Sequence, residues 1–575
     1  MNSETLIRLQ ARLAAARGDR PVDLLLENGQ VINVLSGKIE RSPVAVFDGV
    51  IVGFGKYDAT ENFDLEGSFL SPGFIEPHIH IESSKLTPSQ FAEVVLRRGT
   101  TTVIADPHEI ANVLGIAGIK FMIENSRSTK LDIFFMLPSC VPATTMETSG
   151  AKLSADDLKL LIDKPQILGI GEMMNFPGAV FGDPEVLSKA MLSEGKRPID
   201  GHAPGLSGKD LSAYLLAGPM TDHECTVIEE AREKLARGMR ILIREGSTAR
   251  NLKALISLIN PTTERRIMFA TDDRRPGDLR DHGHLDFILR QAVGMGLDPL
   301  IALRLVTLNP SEMYNLKDRG AIIPGAIADL VALNDLKEFE VKHVWKRGTM
   351  VSGSEDNTSS LKPLIPVGIS GPLPVPEITY ADLQIEDKGC EVRVIGLVPD
   401  QIVTENLIKS LPASNGFLQS DPTQDIVKLV VVERHTGSGG KGIGFLKGMG
   451  IRGGAIGSTV AHDSHNIIVA GDNDKSIISA IRHLTEIGGG QVVTAGEEIL
   501  ADLALPIAGL MTDESVSAVS EIEEYLIEAA KKFGCKPVDP FMALSFLALP
   551  VIPSLKLTDK GLVDVDKFQP VSLYL

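Results

Sequence analysis

Residues 72–84, PGFIEPHIHIESS, hold two histidines separated by one isoleucine, His78 and His80, flanked by the carboxylates Glu76 and Glu82. On a β-strand, residues i and i+2 face the same way, so both imidazoles project from one strand end, a spacing that suits a metal ion. An isolated H-x-H also arises by chance, and a strand-end histidine is often only a hydrogen-bonding surface group. Its meaning depends on what recurs further along: Glu172 in GIGEMMN, His202 in DGHAPG, His223 in TDHECT and Asp272 in FATDDRR. Taken singly, each histidine is more simply read as a buried ring donating to a backbone carbonyl. Six nitrogen and carboxylate donors at matching positions point instead to metal-assisted hydrolysis, because a divalent cation lowers the pKa of bound water from ~15.7 to about 7.

The elements that must position them are eight apolar, strand-like runs alternating with helix-like segments: GFIEPHIH, TTTVIADPHE, DIFFMLPS, ILGIGEMMN, PIDGHAPG, AGPMTDHE, MRILIREGS and RIMFATDD. Such alternation implies a parallel sheet, and eight units suggest a closed α/β barrel of the TIM-like (β/α)₈ type over residues 74–310. Function gathers at the C-terminal ends of barrel strands, and there the donors fall: strand one for His78 and His80, four for Glu172, five for His202, six for His223, eight for Asp272. An amphipathic N-terminal helix and Gly-turn hairpins over 1–73, with β-type patterning again over 311–360, predict a small β-sandwich domain built from both flanks of the barrel. A Ser/Asn/Pro/Gly-rich linker is expected at 361–376 and an α+β domain at 377–575.

The chain of 575 residues carries a formal net charge of −18, which argues against nucleic-acid and anionic-membrane surfaces and leaves a small molecule as the expected partner. No apolar run approaches a membrane span, and the N-terminus lacks the character of a signal peptide, so a cytoplasmic protein is expected. Cys140, Cys225, Cys390 and Cys535 form no C-x-x-C pair, so any metal must be held by nitrogen and oxygen. The Gly-rich stretch GSGGKGIGFLKGMGIRGGAIGS reads as turns and close packing, because Lys441 is followed by Gly442 and the phosphate-loop signature is absent.

These strand ends resemble the amidohydrolase superfamily. The resemblance is closer still to the adenine deaminase family of bacteria and archaea. It is carried by PGFIEPHIHIESS, DPHEIANVLG, GEMMNFPG, DGHAPGLSG, DHE and TDDR, and in the last domain by HDSHNIIVAG and LPIAGLMTD. It implies two divalent ions per chain, Mn²⁺ or Fe²⁺, with Zn²⁺ also compatible with the donor types. The ligands would be His78, His80, Glu172, His202, His223 and Asp272. Glu172 would bridge the ions where other members use a carbamylated lysine; no lysine here is nearer than Lys164. It implies hydrolytic deamination of adenine to hypoxanthine and ammonia in purine salvage. Asp272 would take a proton from the attacking water and pass it to the leaving amino group.

Strand five departs from the single-zinc purine nucleoside deaminases: HAPG has no glutamate three residues after His202, so the group that protonates the ring is left unassigned. His108, Glu109, Glu82 and Glu224 are substrate-binding candidates, with support behind a ligand histidine as the alternative for each. Asp273 is left out, because a regular strand would point it away from Asp272. His462, Asp463 and His465 form a second cluster that could hold metal, cover the barrel mouth or be a polar turn. A homodimer is implied by resemblance. The competing readings are another amidohydrolase acting on a cyclic amide or amidine, and a metal-free scaffold on the same fold.

Overall fold

All eight apolar runs form strands in the computed structural model, which describes residues 3–351, 371–399 and 401–575. We number them β1 (Phe74–Ile79), β2 (Thr100–Ala105), β3 (Asp132–Leu137), β4 (Ile167–Met173), β5 (Ile199–Gly201), β6 (Thr221–Asp222), β7 (Arg240–Arg244) and β8 (Ile267–Ala270). β1 to β5 pair in parallel in chain order, as do β6 to β8. Every residue of β1, β2 and β8 is buried, the two-sided burial that parallel strands between helices require. The sheet curls until its ends meet. His80 N–H donates to the Asp272 carbonyl (3.0 Å) and Asp272 N–H to the His78 carbonyl (3.1 Å), while Met220 N–H reaches the Ile199 carbonyl (2.9 Å) between β5 and β6. The first and eighth strand ends therefore lie side by side, within a TIM-like arrangement.

The helix Pro88–Arg97 shows how the outer layer is specified. Proline at its first turn is tolerated because that N–H needs no partner, and Phe91, Ala92, Val95 and Leu96 make one buried stripe. Outside the curled sheet, a six-stranded sheet joins both flanks, with Leu330–Leu333 pairing antiparallel to Phe69–Pro72. The helix Ser3–Ala16 and a four-stranded sheet containing Val22–Glu27 lie beside it.

The C-terminal part is built on an eight-stranded sheet from Val392–Leu397 to Glu498–Ala504, with helices Asp474–Glu486 and Val516–Lys532. It docks tightly on the first half. Lys85 Nζ makes a buried ion pair with Glu523, Arg275 meets Asp539 at 2.7 Å, and one apolar core runs from Phe91, Ile110 and Phe121 into Val427, Leu446 and Leu544. The stretch 352–370, which includes most of the expected linker, lies outside the described residues. Among those residues no helix is long and apolar enough to cross a membrane.

Candidate functional site

β1 ends in the H-x-H, and its neighbours fix how the rings point. The His80 Nδ1–H donates to the Asp106 carbonyl just past β2 (2.9 Å). A carbonyl can only accept, so in the neutral ring Nε2 keeps a free lone pair. That nitrogen lies 3.1 Å from Glu172 Oε1 and 3.0 Å from Asp272 Oδ1. Glu172, in β4, is the hub: Oε1 is 3.3 Å from His108 Nδ1, and Oε2 is 2.8 Å from His202 Nδ1 and 3.3 Å from His223 Nε2. Its own N–H is anchored on Asp106 Oδ2 (2.9 Å).

His78 Nε2 and Asp272 Oδ1 stand 3.2 Å apart, both buried, and neither makes a hydrogen bond among the described residues. Buried polar atoms without partners ask for an explanation, and unsatisfied nitrogen and oxygen lone pairs converging on one point suit a cation. Two overlapping sets have this character, His78, His80 and Asp272 on one side and His78, Glu172 and His223 on the other. The donors fit one or more divalent metal ions. Burial by itself pushes both carboxyls up. The imidazoles of His108, His202, His223 and His80 around Glu172, and the Arg244 guanidinium and histidines beside Asp272, outweigh it and hold both well below the usual carboxylate range.

The six donors come together as expected, but several neighbours do not follow the sequence reading. Asp272 has a left-handed backbone (φ 59°), a conformation that aspartate tolerates better than most residues. That turn breaks strand alternation, so Asp273, left out on the assumption of a regular strand, also faces the pocket. Glu82 is not brought to the pocket wall; its Oε1 instead accepts the Ile110 N–H (3.2 Å), bracing the segment after β2. His108 falls within reach of Glu172 itself, so it belongs with the metal-capable donors as much as with the substrate wall.

Arg244, at the end of β7, carries no role in the sequence reading. It donates to Glu224 Oε1 (2.7 Å) and to Asp272, and pulls Glu224 down to about 2 against the upward push of burial. The only available signal was that strand seven alone among the later strands had no assigned polar end.

Lys234, on the helix Ile228–Ala236, ties two donor-bearing strand ends from behind. Its Nζ donates to the Ala203 carbonyl (2.6 Å), Asp222 (3.0 Å) and Glu230 (2.6 Å), and Asp222 in turn accepts the Ala203 N–H (2.9 Å). Lys234→Met should destabilise the chain by ~3–5 kcal/mol, the cost of leaving a buried carboxylate unpaired. Denaturant unfolding measures this, and a change below about 1 kcal/mol would show that the pair is dispensable.

Above the donors lies a pocket whose near wall comes from the curled sheet, with Glu109, Met174, Glu224 and Thr248. Its far wall comes from the C-terminal part, with Ile402, His462, Asp463, Phe546, Leu549 and Ile552. The 462–465 segment thus covers the mouth, and His462 and His465 both contact Glu109.

Known proteins share this arrangement of segments. Residues 69–351 match the amidohydrolase family, and 401–569 match the adenine deaminase C-terminal domain. The chain is 47% identical to an adenine deaminase of Desulfatibacillum aliphaticivorans over 570 residues, covering 98% of this chain and 99% of that one. It is 46% identical to "adenine deaminase 2" of Carboxydothermus hydrogenoformans, covering 97% and 98%. This chain belongs to the adenine deaminase family. Within it, the amidohydrolase segment contains the strand ends, and the segment particular to the adenine deaminase family contains the wall that faces them.

Proposed function

We propose that this chain hydrolyses adenine to hypoxanthine and ammonia, with two divalent ions, Mn²⁺ or Fe²⁺, held by His78, His80, Glu172, His202, His223 and Asp272. The observation that carries the reading is the convergence of those donors, two of them unpaired, at the floor of a pocket whose far wall is largely apolar, in a chain of this family. When bound, the ions supply the Lewis acidity that makes water a nucleophile near neutral pH.

The residues do the rest. Asp272, ionised and steadied by Arg244, takes a proton from the attacking water and hands it to the departing amino group. Both transfers need an acceptor at hydrogen-bond distance, and Asp272 sits at the floor of the pocket. Phe546, Leu549, Ile552 and Met174 give a flat, uncharged ring an apolar slot that keeps bulk water away, while Glu109 and Glu224 supply fixed polar contacts.

With this function goes a division of labour. A (β/α)₈ barrel over 74–310 holds the ions, the flank sandwich supports it, the 377–575 domain closes the pocket, and two chains pair as a homodimer.

The test is ammonia release by the purified protein, stripped with chelator and then reloaded with Mn²⁺ or Fe²⁺. Adenosine, cytosine and dihydroorotate serve as parallel substrates. Turnover of adenine restored at two ions per chain is expected. A fully loaded protein that leaves adenine untouched would reject the substrate, and a protein that takes up no metal would reject the chemistry.

A further inference from the structure

Glu109 lies in the first turn of the helix His108–Leu114, and each of its carboxylate oxygens meets one imidazole from the C-terminal part: Oε1 the His462 Nδ1, Oε2 the His465 Nε2. The three could be taken for another metal site. The His465 ring argues otherwise. Its Nδ1 accepts the Ala461 N–H (3.1 Å), so that nitrogen bears no hydrogen and the proton of the neutral ring sits on Nε2, directed at Glu109. The cluster is therefore a hydrogen-bonded clamp around an anionic carboxylate. With Nδ1 of His462 committed to that carboxylate, its Nε2 is left over, and it has no hydrogen-bond partner among the described residues. The ring is held flat against Phe546, with centroids 4.7 Å apart and planes at 18°, and it lines the same pocket as Glu172 and Asp272.

Hydrolysis at C6 of a purine leaves one proton unaccounted for by the groups named so far. Adding oxygen to C6 breaks the C6=N1 π bond and places its electron pair on N1, which must be protonated in that step. Strand five supplies no acid, since HAPG carries no glutamate. Resting on the adenine reading above, we propose that His462, oriented by Glu109, is the catalytic acid that delivers the Nε2 proton to N1 of the ring as the C6–O bond forms.

The step balances. Nε2–H breaks and N1–H forms. When the tetrahedral carbon collapses, the C6–NH₂ bond breaks and the amino group leaves as ammonia with the proton carried by Asp272. The Asp272 carboxylate, freed by that delivery, takes the hydroxyl proton as C6=O forms; after product departs Asp272 loses this proton to solvent and His462 regains one from solvent, so water and adenine give hypoxanthine and ammonia with no net proton change. The charged groups facing His462 are Glu109, Asp273 and Asp463, with His465 beside it. Burial opposes a charge on the ring, but these carboxylates, Glu109 foremost, outweigh it and raise His462 to about 9. His465 is pushed down, because its burial, together with the positive charges of His462 and Arg434, outweighs the pull of Glu109, in keeping with its neutral tautomer.

The experiment compares the metal-loaded full chain with His462→Gln and Glu109→Gln, following kcat and KM for adenine across pH together with bound metal. His462→Gln should lower kcat by ~10²–10⁴-fold, the usual contribution of a positioned acid. It should keep its metal and lose the alkaline limb of the pH profile. Glu109→Gln keeps the size of the side chain but removes its charge and turns one accepting oxygen into an N–H donor, so the alkaline limb should move down by about one pH unit or more. A His462→Gln enzyme within about fivefold of the parent with its alkaline limb intact would overturn the assignment. So would loss of bound metal, which would make the residue scaffolding. If His462→Gln does not fold, an unmoved limb in Glu109→Gln overturns it alone. Failure of the loaded parent to release ammonia from adenine is a separate result, which rejects the substrate and this role together.

Discussion

Glu172→Gln is expected to abolish ammonia release, by ~10³-fold or more, and to lower the bound metal. Replacing partners that merely orient a ligand typically costs 10–100-fold, so ~10³-fold is a modest expectation for a group in contact with the site itself. Among the described residues, Glu172 is the one side chain within 3.3 Å of His80, His108, His202 and His223 together. An amide of the same shape turns one anionic oxygen into an N–H donor facing those rings, which cannot bind the same cations. The buried histidines are then left without the negative charge that offsets their own. Metal analysis beside the activity assay checks this, and a variant with both ions and full turnover would remove Glu172 from the centre of the site.

Asp272→Asn should produce a different pattern: loss of turnover by ~10²–10⁴-fold, the range for removing a group that moves protons, with the fold retained and much of the metal kept. The amide still offers a carbonyl oxygen toward His78 and His80. The left-handed backbone at this position is as accessible to asparagine as to aspartate, so the turn after β8 survives. What disappears is the carboxylate that Arg244 holds ionised. Unchanged circular dichroism and most of the metal retained beside a collapsed kcat is the expected result; an active variant would transfer the proton-carrying role elsewhere. The contrast between the two substitutions separates holding the ions from moving the proton.

Much of this was legible because parallel strands buried on both faces leave a simple trace, an apolar run that stops at a polar residue. Most of the runs follow from that trace; the fifth and sixth strands are short and carry Asp200 and Asp222 within them, so His202 and His223 were marked by the rhythm of the neighbouring units and not by an apolar run of their own. What escaped it has a common cause. Arg244 ends an apolar run as a charged residue and reads as surface; it is buried only because Glu224 and Asp272 converge on it from other strands. Asp273 escaped because a single left-handed residue undid the alternation assumed for it. Glu82 looked like pocket wall from its nearness to the H-x-H, whereas the segment after β2 draws it aside. The clamp on Glu109 joins residues 353 and 356 positions apart, and no local pattern encodes a docking at that range.

The apolar core that passes without interruption from Phe91 and Ile110 into Val427 and Leu544 also bears on how such a chain can change over generations. A module joined by a polar surface can be shed or traded. Here, shortening the chain near residue 400 would strip a broad oily face and strand Lys85 without Glu523, an invitation to aggregation. The C-terminal part is therefore tied to the donor-bearing sheet by the core they share, so a change on one side of that core is expected to call for an answering change on the other.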